Sequence, residues 1–206
     1  MSAPAIVHAD AAVLVVDKPA GLLAVAGRGE AGREHLAAWV QARCPDALVV
    51  HRLDMATSGL MLFARGPQAQ RQLSACFAAR QVAKGYVAVV EGRVAQDHGE
   101  IDAPLAADWP RRPRQMVDGV NGKPSLTRWQ VLERGPGWTR LALEPVTGRS
   151  HQLRVHLLSI GHPIRGDALY AAPPRRATRL LLHATRLAFA HPTDGAWMPF
   201  ASAPPF

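Results

Sequence analysis

Apolar residues in this chain come in short runs, each stopped within a few residues by proline, glycine or a charge. The clearest is Ala11-Ala12-Val13-Leu14-Val15-Val16, broken by Asp17-Lys18-Pro19-Ala20-Gly21. Runs of this length fall far short of the ~20 apolar residues that cross a bilayer, but they suit strands. Residues 13–17, 60–64, 86–91, 180–190 and 197–201 read as strands. Between residues 99 and 145 further short runs are separated by Pro and Gly, the pattern of antiparallel pairs. Helical spacing marks only three segments. These are 34–43 (Leu36, Val40), 68–80 (Leu73, Cys76 and Phe77 inward) and 150–160, stopped by Gly161 and Pro163. In the last, Leu153, Leu157 and Ile160 form one stripe, while His151, Arg154 and Leu158 share another face. Strand runs outnumber helices and no regular βαβ alternation occurs. The expected fold class is α+β, with a mixed, largely antiparallel central sheet and flanking helices and loops.

Composition narrows the setting. At 206 residues the chain suits one domain, and 48% hydrophobic with 19% charged residues disfavours disorder. Met1-Ser2-Ala3-Pro4-Ala5 lacks the basic and apolar regions of a signal peptide, so a cytoplasmic protein without membrane association is expected. Cys44 and Cys76 are far apart and form no CxxC, which suits free thiols in a reducing compartment. Twenty-four Lys+Arg against 16 Asp+Glu give a net charge of +8, and all but three of the basic residues are Arg. The planar guanidinium fork matches phosphate, so a polyanionic partner fits, although a GC-rich genome accounts equally well for the Arg excess.

Three segments concentrate chemistry. His51-Arg52-Leu53-Asp54-Met55-Ala56-Thr57-Ser58-Gly59 puts an imidazole, a guanidinium and a carboxylate in a polar connection between apolar runs. Functional groups gather in such connections, but an isolated Asp there is more often a turn or cap residue. Thr147-Gly148-Arg149-Ser150-His151-Gln152-Leu153-Arg154-Val155-His156 is the second. Its two histidines are five residues apart rather than four and enclose no Glu, which argues against a metal site. Trp109-Pro110-Arg111-Arg112-Pro113-Arg114-Gln115 is a basic loop with an aromatic, able to grip phosphates and stack a base, or simply a solvated loop. No P-loop, dinucleotide fingerprint or GxSxG elbow occurs.

Taken together, these stretches resemble the RluA family of RNA pseudouridine synthases. His51-Arg52-Leu53-Asp54 with Thr57-Ser58-Gly59 is similar to its signature, and Asp17-Lys18-Pro19-Ala20-Gly21 to its opening motif. Lys84-Gly85-Tyr86 resembles its Lys-x-Tyr strand. Residues 147–156, with Gly161-His162-Pro163-Ile164-Arg165-Gly166-Asp167, resemble its third block. Leu182-His183-Ala184 and His191-Pro192 resemble its C-terminal end. Asp54-Met55-Ala56-Thr57, Asp108-Trp109-Pro110 and Gly122-Lys123-Pro124 look most like the short dual-specificity members, which lack the N-terminal S4 domain of many relatives. Ala171 stands after Tyr170 where relatives often have Gly.

The resemblance implies a pseudouridine synthase catalytic fold with a central RNA-binding cleft and no S4 domain. It implies an isomerase that flips selected uridines out of RNA and rebuilds them as pseudouridine, without metal or organic cofactor. Expected targets are a tRNA anticodon stem-loop and a large-subunit rRNA hairpin, and the expected state is a monomer. Asp54 is the implied essential carboxylate, Arg154 its ion-pair partner, and Tyr86 the residue packed on the flipped uracil. Arg52 fills the space the base vacates. His51, Thr57, Arg149, His151, Arg111, Arg112 and Arg114 complete the expected substrate contacts, His51 and His151 mainly by positioning their loops. Two other classes compete: a non-catalytic RNA-binding or RNA-chaperone domain, and a metal-dependent hydrolase.

Overall fold

The apolar run after Asp10 is a strand buried on both faces. In the computed structural model, which describes residues 3–27, 34–173 and 176–206, it becomes β2 (Val13–Lys18), paired antiparallel with β1 (Ala5–Ala9). The first two residues of the N-terminal stretch lie outside the described ones. Next come α1 (Leu36–Gln41), β3 (Ala47–Val49), β4 (Ser58–Arg65), α2 (Gly66–Ala78) and β5 (Ala83–Glu91). The chain has two compact units, Met1–Lys84 with His183–Pro205, and Gly85–Leu182 with Phe206, so the division falls within β5.

In the first unit β4 is the central strand. It runs antiparallel to β2, from Val13↔Ala64 to Lys18↔Gly59, and antiparallel to β3. The chain returns late to this unit as β11 (Leu182–Ala190) and β12 (Trp197–Ala201). β11 pairs parallel with β4 at His183↔Ser58 and Ala184↔Gly59, and antiparallel with β12. Gly59 has φ +113°, and a Cβ there would overlap the Ala184 carbonyl, so the parallel contact requires glycine. Val13, Val15, Leu60, Leu62, Leu73 and Phe189 form one core, with Cys76 and Phe77 packed against it. Leu14, Val16, Met61 and Phe63 alternate to the other side and are also buried, as are Leu36 and Val40 of α1. Cys44 and Cys76 are free thiols.

The second unit contains the rest of β5, then β6 (His98–Asp102), β7 (Leu105–Ala107), β8 (Gln115–Val117), β9 (Leu126–Gly135), β10 (Trp138–Pro145) and α3 (Gln152–Ser159). Its sheet order is β5-β10-β9-β6, with each of these pairs antiparallel, and β7 and β8 form a separate antiparallel pair. The α+β class and mixed strand directions agree with the sequence. β1 and β3 were not expected: one is largely exposed and the other is three residues long, so neither carries an alternating pattern.

Helices α1 and α3 are shorter than their apolar spacing suggests, while α2 keeps the expected length but starts two residues earlier. Helix α1 starts only at Leu36, where His35 Nδ1 caps Ala38 N at 3.1 Å. Helix α3 corrects two expectations. Ile160 does not extend the Leu153/Leu157 stripe; it is exposed, because the helix stops at Ser159 and closes through Gly161 N to Leu158 O and His162 N to Leu157 O. His151, Arg154 and Leu158 do not share a face. His151 precedes the helix in a left-handed conformation (φ +53°), Arg154 is buried and Leu158 is exposed. No described helix is long and apolar enough to cross a membrane.

Candidate active site

In the first unit, the connection from β3 to β4 carries Arg52 and Asp54 on either side of buried Leu53. Asp54 opens a tight turn, with Thr57 N donating to Asp54 O at 3.1 Å, and is half-buried. Thr57 and Ser58 then go into the interior at the start of β4. The turn is held from below by the Lys18-Pro19-Ala20-Gly21 segment. Gly21 N donates to Met55 O at 2.8 Å. The fully buried Lys18 ammonium donates to the carbonyls of Pro19, Leu22 and Met55 at 2.9, 2.8 and 3.1 Å. A buried cation is tolerable only when hydrogen-bonded in this way, and here those bonds fix the carbonyl next to Asp54.

Further bracing surrounds that turn. His51 Nε2 accepts a hydrogen bond from Leu62 N at 2.9 Å while its ring stacks on Phe77 at 4.5 Å. Desolvation, and secondly the Lys84 ammonium, push the imidazole down to about 3, so it stands neutral as an acceptor. Ser58 Oγ lies 2.8 Å from His183 Nδ1, His183 Nε2 lies 3.1 Å from Ser202 Oγ, and Ser202 Oγ donates to Asp17. Arg52, by contrast, is exposed and makes no ion pair or hydrogen bond among the described residues.

In the second unit a buried polar chain sets the position of α3. Thr147 Oγ1 donates to Gln152 Oε1 at 2.7 Å, and Gln152 Nε2 donates to Leu126 O and Thr127 Oγ1, both at 3.0 Å. His156 places Nδ1 2.9 Å from Thr127 Oγ1 and Nε2 3.0 Å from Ala103 O. Its partner Ala103 O can only accept, so Nε2 carries the proton, and burial holds the imidazole below its ordinary value. Gln152 and His156, one turn apart, thus pin one face of α3 to β9 and its surroundings.

Arg154 projects elsewhere. Its Nε and Nη2 reach the two carboxylate oxygens of Asp167, each at 2.7 Å, in a fully buried fork. The guanidinium also lies 5.0 Å from the Tyr170 ring centroid. Tyr86 is half-buried on β5, opposite Leu143 of β10. Arg149 is exposed, its Nε 3.4 Å from Pro124 O. The basic loop begins as a 3-10 turn, Trp109–Arg111, where Arg111 pairs with Asp108 at 2.7 Å. Arg112 stacks on the exposed Trp109 ring at 3.4 Å, and Arg114 lies 5.9 Å from the Tyr170 ring. Among the described residues, no three His, Cys, Asp or Glu side chains are grouped to hold a metal, and His151 and His156 have separate partners.

The profile described as RNA pseudouridylate synthase matches residues 12–159, a span that includes the Asp54 turn, Tyr86 and Arg154. The chain belongs to the RNA pseudouridylate synthase family. Its similarity to named family members is extensive. It is 48% identical over 198 residues to the dual-specificity RNA pseudouridine synthase RluA of Yersinia pestis, covering 95% of this chain and 96% of that protein. It is 46% identical over 204 residues to the protein of the same name from Escherichia coli K12, covering 98% and 93%. Among solved structures, human RNA pseudouridylate synthase domain containing 1 matches with TM-score 0.83 and 31% identity, over 99% of this chain and 84% of that one. A second human structure, domain containing 4, matches with TM-score 0.80 at 24% identity, and shows the shared fold.

Within the pseudouridine synthase family fold, the structure brings Arg52, Asp54 and Thr57 into one turn of the first unit. In the second unit it links His151 and Arg154 through Tyr170. Sequence reasoning singled out neither Lys18, Asp167 nor Tyr170. All three lie in or beside quoted motifs, but their roles are defined by partners distant in sequence: Met55 for Lys18, Arg154 for Asp167, Gln115 for Tyr170.

Proposed function

We propose that this chain converts selected uridines of RNA to pseudouridine, with Asp54 as the essential carboxylate. The observation that carries the reading is the 46–48% identity, over nearly the full chain, to dual-specificity RNA pseudouridine synthases. The reaction is balanced without any oxidant or cofactor: C1′–N1 breaks, C1′–C5 forms, the C5 proton leaves and N1 takes one up. It needs the base outside its stack, which costs a few kcal/mol, least for a base already in a loop. Asp54 acts on the ribose by one of two routes, covalent attack on the nucleotide or removal of a ribose proton to give a glycal. In this reading Arg154 pairs with Asp54 and keeps it ionised, since an adjacent cation lowers a carboxylate pKa. That pairing rests on the motifs.

Tyr86 packs on the flipped uracil and takes part in removing the C5 proton. Arg52, exposed beside Asp54 and without an intramolecular partner among the described residues, is suited to fill the vacated stack. Thr57 and His51 shape the turn, His151 and Arg149 shape the entry to α3, and Arg111, Arg112 and Arg114 meet phosphate. The resemblance to short dual-specificity members supports two targets, a tRNA anticodon stem-loop and a large-subunit rRNA hairpin. A monomer acting in the cytoplasm completes the reading.

The decisive test of target is chemical mapping of pseudouridine in tRNA and rRNA from cells with and without this protein. Loss of modification at one anticodon stem-loop uridine and one large-subunit hairpin uridine is expected. Identical maps would overturn the assignment.

A further inference from the structure

Tyr170 has no part in the chemistry above, yet its contacts join residues that do. It sits in a turn held by Asp167, whose Oδ1 accepts from Leu169 N at 2.9 Å and Tyr170 N at 3.2 Å. The same carboxylate grips Arg154. The Tyr170 ring has Arg154 at 5.0 Å and Arg114 at 5.9 Å from its centroid. Its Oη accepts from Gln115 N at 2.8 Å and lies 2.7 Å from His151 Nδ1, whose ring meets it edge-on at 5.6 Å. One phenol therefore touches the end of the basic loop, the residue before α3, and the arginine in the first turn of that helix.

The His151 backbone sharpens this. With φ +53° it occupies a region that residues other than glycine rarely adopt, and it does so immediately before α3. Such a conformation persists only where the surroundings determine it, and the Tyr170 hydroxyl and ring are part of those surroundings. The bond to Gln115 is to its backbone N–H. Movement of the loop backbone would thereby reach the phenol, which also contacts His151 and Arg154 at the start of α3.

We infer that Tyr170 is a positioning residue through which the loop 109–116, on engaging RNA, sets the first turn of α3 and the aim of Arg154. The inference rests on the reading of Arg154 and of the loop given under the proposed function. Coupling of this kind travels through packed, hydrogen-bonded contacts and is measurable as non-additivity between substitutions.

The test compares the full chain with its Tyr170→Phe variant. Substrates are unmodified tRNA and large-subunit rRNA transcripts carrying C5-tritiated uridine, and tritium release is the readout. Losing the hydroxyl is expected to lower kcat about tenfold, because small misplacements of a reacting group carry penalties of at least that order. KM is expected to stay within about twofold, as befits a group acting after binding. Arg112→Ala is expected to lower kcat and raise KM in the parent, but only to raise KM in the Tyr170→Phe background. A variant kcat within about twofold of the parent, or equal kcat losses from Arg112→Ala in both backgrounds, would overturn the inference.

Amide hydrogen exchange gives a readout independent of turnover. With total tRNA bound, Gln115 and residues 151–155 are expected to gain protection together in the parent, and Gln115 without the helix in the variant. Absence of joint protection in the parent, or unchanged helix protection in the variant, would overturn the coupling. A parent that forms no pseudouridine would instead overturn the functional reading, leaving hydrogen exchange to decide the coupling.

Discussion

Arg154 and Asp167 form a buried, two-pronged ion pair, Nε to Oδ2 and Nη2 to Oδ1 at 2.7 Å each. Their side chains are 5% and 0% exposed, so both charges have left bulk water. Such a pair adds little net stability over a well-packed apolar pair, but it fixes a guanidinium in one orientation. For an arginine proposed to act beside a catalytic carboxylate, orientation is the relevant property.

Removing one partner should therefore be costly. Asp167→Ala removes the buried carboxylate that both prongs of Arg154 reach and also releases Leu169 N and Tyr170 N, and is expected to cost roughly 3–5 kcal/mol in urea unfolding. The double variant Arg154→Met with Asp167→Leu is expected to regain much of that stability while remaining inactive. Activity in the double variant would separate Arg154 from the reaction.

Stability should fall on the acid side of neutrality. His51 and His156 are both held below their ordinary value of 6.5, chiefly by desolvation, His51 to about 3. Both are neutral in the fold, whereas in the unfolded chain they bind protons once pH drops below 6.5. The unfolded state then carries more protons, so stability declines as pH falls through that point, and the His51 share is fully lost only near pH 3. Urea midpoints measured from about pH 7.5 down to about pH 5 should decrease steadily. In His156→Gln the decrease should be shallower; an identical pH profile would remove His156 from the account.

The basic loop should announce itself through salt. Each phosphate contact contributes ~0.7 to ~0.9 to the slope of log affinity against log salt concentration. Replacing Arg111, Arg112 and Arg114 together by Gln is expected to reduce that slope by about two for tRNA binding. Equal slopes for variant and parent would show that the loop does not meet phosphate.

Arg52 should matter after binding rather than during it. Arg52→Ala is expected to slow single-turnover pseudouridine formation by ~100-fold, the scale of misplaced reacting groups, while equilibrium RNA affinity changes little. A parent-like single-turnover rate would assign the flipped state to other residues.

Much of this was legible in the chain before folding. β2, β4, β5 and α2 follow from apolar periodicity because their buried faces are continuous. The motifs located the Asp54 turn and the segment entering α3. What escaped depends on contacts between distant positions. The Lys18 ammonium seats Met55 from 37 residues away, and His183 reaches Ser58 across 125. Sequence spacing argues against His156 as a metal ligand but leaves its partners invisible; it is a fully buried anchor, because Thr127 and Ala103 supply them. The helical wheel misplaced His151 because it assumed a helix that starts only one residue later.

The central claim is that Asp54 performs the chemistry, and one measurement addresses it directly. Asp54→Asn keeps the shape of the turn that Thr57 N closes and removes the carboxylate. In single-turnover assays with tritiated RNA, this variant is expected to bind RNA as the parent does and to release no tritium above background. Parent-like release from Asp54→Asn would contradict the account.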